Sequence, residues 1–279
     1  MPLRSSLINL SFEIYPTDPI DWLAMHDLLT RLTVLKPKYV SIAYSNHARS
    51  FFATSLVLAN FMQAYNLPTM LHLPATCFTR QDIDRIMAHC AQLKINDFLI
   101  ISGDQNNHPT HFTDSLALFK YMQTNYPTAH TYGACHPQQT VAANTRHLNT
   151  LLDKKKHGAH AFLSQVFFEN APALNLAQQM KNQQLALTAG LMPITTPEQI
   201  EIVTNKLQIA LPESLKNALL IHQNDAACCQ TISNDFIDQQ ITTLMQAGIT
   251  NFHIFTMNQP RVVDHLHQFI SNKDTATYA

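Results

Sequence analysis

Eight short apolar runs, each followed by a longer stretch with helical spacing, constrain this chain more than any other feature. The runs are Leu7–Phe12, Tyr39–Ala43, Thr69–Leu73, Asp97–Ile101, His130–Ala134, Ala161–Phe167, Leu185–Met192 and Asn251–Phe255. Amphipathic segments such as Ile20–Leu35, Phe51–Tyr65, Arg80–Leu93 and Asp114–Thr124 separate them, each long enough to cross between parallel strands. Strand and helix periods alternating from end to end predict repeated βα units. Eight of them predict an α/β chain closed as a (β/α)8 TIM barrel. A doubly wound open sheet is the competing architecture, but no G-x-G-x-x-G turn follows the first strand. The stretch from Pro197 to Gly248 predicts two or three extra helices between strands seven and eight, and Arg261–Ser271 predicts the closing helix.

At 279 residues the chain suits one such barrel, expected over 1–279, and no Gly/Ser linker or charge block divides it. With 46% hydrophobic and 13% charged residues it can bury a large core. The balance of 18 Lys+Arg against 19 Asp+Glu, with no basic cluster beyond Lys154–Lys156, argues against a nucleic-acid partner. No apolar run has the length of a signal peptide or a membrane span, so a cytoplasmic protein with no membrane partner is expected. Five cysteines form no CxxC pair, which predicts reduced thiols, and no zinc spacing occurs, so no metal is expected.

A (β/α)8 barrel builds its site at the carboxyl ends of its strands, and nearly every predicted strand here ends in a reactive side chain. Glu13 lies in an apolar strand, where an unpaired carboxylate is costly; it is either paired structurally or holds a raised pKa for proton transfer. Asp104 follows Gly103, which is also ordinary turn chemistry. His72 and Gln165 could equally be satisfied core residues, and Tyr44, Tyr132, Phe167 and Phe168 could simply pack the barrel ends. The weight rests on the set.

That set resembles methylenetetrahydrofolate reductases. Ser11–Pro16 (SFEIYP) is similar to the family's S-F-E-F-F-P, and Lys36–Ser41 to K-P-x-F-V-S. Gly103-Asp104 matches R-G-D, Tyr132 with His136-Pro137 matches Y-P-E-x-H-P, and Gln165–Phe168 matches the end of T-Q-F-F-F. Gly190–Pro193 resembles P-G-I-L-P, and Asn251–Asn258 resembles D-F-H-F-Y-T-L-N. The resemblance runs over roughly residues 7–270 in matching order. It implies FAD on the barrel top, NADH or NADPH as electron donor, and 5,10-methylenetetrahydrofolate as the small-molecule substrate. Glu13, Asp104 and Gln165 would be catalytic: Glu13 the general acid, Asp104 tuning the flavin and bonding the pterin, Gln165 orienting the folate. Tyr44, His72, Asp104, Tyr132, His136 and Lys154 would hold the flavin, Lys154 by a charge-assisted phosphate contact. Gln165, Phe167, Asn258 and Arg261 would meet the substrate.

The chain also departs from the pattern. Ala43 stands for a Thr, Ser102 for the Arg of R-G-D, His147 for an Asp on the fifth helix, Pro197 for an aromatic that stacks on nicotinamide and folate, and Gln259 for an Arg, a role Arg261 could take. Two expectations follow: a working reductase with weakened donor or flavin contacts, or a folate- or flavin-binding barrel without turnover. The presence of Glu13, Asp104 and Gln165 favours the first. The pattern accommodates NADH or NADPH as donor and association into a homo-oligomer.

Overall fold

A computed structural model of the protein describes residues 8–44, 51–103 and 111–275. Eight strands, β1 Asn9–Ile14, β2 Val40–Ile42, β3 Thr69–Pro74, β4 Asp97–Ile101, β5 His130–Cys135, β6 Ala159–Ser164, β7 Leu187–Leu191 and β8 Asn251–Phe255, pair in sequence order, and β1 meets β8 to close the barrel. Every pairing is parallel, for instance Phe12 opposite Val40 and Ile254. The crossovers are α1 Trp22–Leu35, α2 Ser55–Met62, α3 Arg80–Gln92, α4 Ser115–Asn125, α5 Val141–Lys156 and α6 Asn170–Asn182. The predicted insert contains α7 Pro197–Glu201, a π turn at Ile202–Lys206, α8 Glu213–Ile221 and α9 Ala226–Gln246; α10 Pro260–Thr275 then closes the ring. Among the described residues no helix is long and apolar enough to cross a membrane.

The helices start where local chemistry predicts. Asp21, Asp114 and Thr140 each accept a backbone N–H at the first turn of α1, α4 and α5, and Thr79 with Asp82 forms a reciprocal capping box on α3. β1 and β6 depart furthest from their expected bounds. β1 runs on to Ile14, whose carbonyl accepts the Ala43 N–H at 2.9 Å. β6 stops at Ser164, because the Gln165 side chain takes the Val166 N–H at 2.9 Å and turns the chain outward.

Strand alternation gives the barrel two unlike faces. The outer face, including Phe12, Val40, Leu71, Phe98, Phe162 and Ile254, is buried against the helices in one large apolar core. The inner face combines a small apolar cluster of Met70, Leu99 and Leu163 with several buried polar groups, in a fold whose interior is ordinarily filled by branched aliphatics. Fully buried His253 sits between Ser11 (2.8 Å to Nδ1) and Ser41 (3.3 Å to Nε2), with the Tyr39 ring stacked on it at 5.6 Å. Below them the Tyr132 hydroxyl donates to Asp97 at 3.0 Å, and Asp97 lies 3.4 Å from His130. A second apolar cluster, separate from the main core, joins Val166, Phe168, Met192 and Ile194 at the exits of β6 and β7 to Val203, Leu215 and Leu219 of the insert.

Candidate active site

Glu13 is the last inward-facing side chain of β1, between Phe12 and Ile14, both fully buried on the outer face. It opens into a cavity of about 770 Å³ at the carboxyl ends of the strands, together with His72 of β3. His72 Nε2 lies 3.7 Å from Glu13 Oε2, beyond hydrogen-bond range, and is buried with no hydrogen-bond partner among the described residues. Burial pushes the Glu13 carboxyl up from 4.5 to about 8 and the His72 imidazole down to about 4. Near neutral pH both are therefore uncharged, and Glu13 is a carboxylic acid with a proton to give.

Gln165 faces the same cavity from the exit of β6. Its backbone is held by Ser164, whose hydroxyl donates to the Gln165 carbonyl (2.9 Å) and accepts the Gly190 N–H (2.8 Å). Only glycine fits at 190: a Cβ would stand 2.3 Å from the Ser164 carbonyl oxygen and 2.9 Å from the Phe255 ring, which also lines the cavity. Gln165 Oε1 accepts the Val166 N–H, which leaves both amide hydrogens to offer a ligand.

The far end of the cavity is built by one face of α5. His147, Thr150, Asp153 and Lys154 fall at helical spacing and all line it, opposite His136 after β5. Lys154 is buried, and among the described residues its ammonium has a single hydrogen-bond partner, the Ala134 carbonyl at 3.4 Å. Among the described residues no carboxylate pairs with it: Asp153 Oδ1 pairs with Lys156 at 3.3 Å and Asp114 Oδ1 caps α4. Desolvation lowers the Lys154 pKa, an effect that the Asp114 carboxylate offsets only in part. His147 Nε2 accepts the His136 backbone N–H at 3.0 Å, and burial lowers the imidazole to about 4.

Of the expected site residues, the fold gathers Glu13, His72, His136, Lys154 and Gln165 around one cavity. Asp104 lies outside the described residues, immediately after Gly103, which lines the cavity. Five others are placed elsewhere. Tyr132 does not line the cavity: beside an irregularity in the β5–β6 register its ring points inward and down to Asp97. Tyr44 packs on Phe51 and Phe78, and Phe167 is buried in the main core. Asn258 clamps the rim, accepting the Tyr15 N–H at 2.9 Å and donating to the Tyr15 carbonyl at 2.7 Å, so its amide is already spent on the backbone. Arg261 is exposed in the first turn of α10, away from the cavity lining. Pro197 is the first residue of α7, behind the Thr196/Gln199 capping box, which accounts for a proline there. Sequence reasoning treated His147 only as a lost contact and missed its alignment with Thr150 and Lys154, although the spacing along α5 carried that signal.

The model of the methylenetetrahydrofolate reductase family matches residues 3–270. The chain belongs to that family. Curated family members from Buchnera aphidicola (subsp. Schizaphis graminum) and Salmonella typhimurium, both named 5,10-methylenetetrahydrofolate reductase, are each 21% identical, over 92% and 90% of this chain and 89% and 87% of their own. Methylenetetrahydrofolate reductase 2 of Schizosaccharomyces pombe is 23% identical over 91% of this chain and 44% of its own length. Among solved structures, a Clostridium thermocellum protein described as binding two copies of 5-methyl-5,6,7,8-tetrahydrofolic acid superposes with a TM-score of 0.65 at 14% identity, covering 97% of this chain and 96% of that one. The tryptophan synthase α-subunit of Pyrococcus furiosus superposes at 0.54 with 8% identity, covering 97% and 98%, a likeness of fold alone.

Proposed function

We propose that this family member reduces 5,10-methylenetetrahydrofolate to 5-methyltetrahydrofolate, with FAD in the strand-end cavity and NADH or NADPH as electron source. The observation that carries the proposal is Glu13, a carboxylic acid kept protonated near neutrality at the wall of a cavity large enough for ligands. The substrate's five-membered ring opens to a reactive iminium only when its N10 receives a proton, and the Glu13 carboxyl supplies it. Gln165 turns its amide hydrogens toward the pterin and fixes its orientation. His72, neutral and unpartnered, keeps Glu13 from ionising against a fixed cation. FAD, once reduced by NADH or NADPH, would supply the hydride that makes the methylene carbon a methyl group.

The residues present fit a phosphate-bearing cofactor. A buried ammonium with only a carbonyl partner is stabilised by an anion, and Lys154 at the α5 end of the cavity is that group. Asp104 remains the proposed tuner of the flavin and partner of the pterin amino group. The family relatives named for this reaction, and the folate-binding protein of the same fold, support the substrate class. The first test is spectroscopic: protein saturated with FAD should bleach on addition of NADH or NADPH and recover its colour as methylenetetrahydrofolate is consumed. A protein that takes up neither FAD nor folate would sink the proposal, and one that binds folate but never turns over would make it a binding barrel.

A further inference from the structure

His147 has one hydrogen bond among the described residues, and its direction is fixed. A backbone N–H can only donate, so His147 Nε2, 3.0 Å from the His136 nitrogen, must carry its lone pair. The neutral ring then bears its proton on Nδ1, and no described residue accepts it. This free N–H belongs to a side chain that lines the cavity on the same helical face as Lys154, whose ammonium makes no ion pair among the described residues. No described carboxylate bonds to either donor: Asp153 Oδ1 pairs with Lys156, Asp114 Oδ1 caps α4, and the Cys135 thiol is fully buried with burial pushing it up to about 12. The His136 imidazole, lowered by burial, sits beside the pair with ring centroids 5.9 Å apart. Two donors with no anionic hydrogen-bond partner among the described residues face this end of the cavity.

We propose that His147 is a specificity-determining residue that, locked as a donor by the His136 amide and paired with Lys154, makes this end of the cavity select phosphate oxygens over sugar hydroxyls. An acidic side chain at 147 would offer the opposite, an acceptor for hydroxyl groups and a repulsive charge toward phosphate. The inference rests on the flavin dinucleotide reading of the cavity for its biological ligand, but its chemistry can be probed without a flavin. ADP and adenosine share a ribose and base and differ in the diphosphate, so they separate the two modes of recognition.

Calorimetric titration of the full chain should show ADP binding at least about 100-fold tighter than adenosine, the worth of two charge-assisted or polar contacts. His147→Asp should weaken ADP by about 10- to 100-fold and leave adenosine unchanged or tighter, narrowing the ratio. His147→Gln, which can still accept the His136 N–H and donate beside it, should stay within about threefold of the original. Because a carboxylate at 147 could disturb folding, ¹⁵N chemical shifts of the unmodified protein give a second measurement, expected to show protonated Nδ1 and bare Nε2 at neutral pH. Equal affinity for ADP and adenosine, an unchanged ratio in His147→Asp, or the Nε2–H tautomer would each overturn the inference. Selective ADP binding in a protein without reductase turnover would leave the inference standing while the proposed activity failed.

Discussion

The lower and upper halves of the barrel interior are both polar, yet they treat their polar groups in opposite ways. In the lower half the groups satisfy one another: His253 with Ser11 and Ser41, Tyr132 with Asp97. In the upper half they are left over: Glu13 and His72 sit 3.7 Å apart without a hydrogen bond, and the Lys154 ammonium finds one carbonyl. Satisfied polar groups fix a core, whereas unsatisfied ones are costly unless something else completes them. Burial alone does not separate the two halves. Partnership does.

The largest expected effect falls on the upper half. Glu13→Gln should slow the folate half-reaction by about 10²- to 10⁴-fold while leaving flavin reduction by the nicotinamide near normal, as measured in separate stopped-flow half-reactions. Equal loss in both would move Glu13 to the structural side of the comparison. In the unmodified enzyme the folate half-reaction should fall as pH rises through about 8, where the acid form disappears. The same shift bears on stability: the folded protein holds a proton between pH 4.5 and 8 that the unfolded chain has released, so stability declines with pH over that window. Glu13→Gln removes the decline, and its melting temperature should gain on the parent as pH rises from 5 to 8.

In the lower half the sign reverses. His253→Ala should destabilise by about 2–4 kcal/mol, from the cavity and the lost bonds to Ser11 and Ser41, without changing ligand affinity. A denaturation midpoint together with FAD titration checks both; a variant that keeps its stability but loses FAD would erase the distinction between the halves. Lys154→Met should do the reverse, matching or exceeding the parent in stability while losing about 10- to 100-fold in FAD affinity, an effect absent from Lys155→Ala and Lys156→Ala. Because the folded ammonium sheds its proton at lower pH than the unfolded one, parental stability should rise with pH in the alkaline range, and Lys154→Met should flatten that rise. The smallest effect belongs to the rim: Asn258→Gly keeps the left-handed backbone at φ 57° but drops both bonds to Tyr15, for about 1–2 kcal/mol.

The eight strands were legible because period and flanking turns survive in local sequence; β4 and β8 begin and end where predicted. Glu13 and Gln165 were legible because strand ends point into the barrel mouth. Tyr132 was not, since its direction depends on the register irregularity between β5 and β6, and Asn258 was not, since its partner Tyr15 lies on the opposite end of the chain. His147 was visible as a substitution but not as a donor. Its tautomer is set by a backbone amide eleven residues away, a relation that spacing alone does not encode.

The second apolar cluster ties the exits of β6 and β7 to the inserted helices and stands apart from the core that the barrel shares with its outer ring. A segment with its own small core is the kind that opens below the energy of global unfolding, and amide exchange should divide accordingly: fast and concerted in α7, α8 and the chain after Ser164, slow in the outer-ring helices. Gln165 sits at the seam between those two regimes. The lifetime of a bound folate would then be set by a part of the molecule that touches no reacting atom.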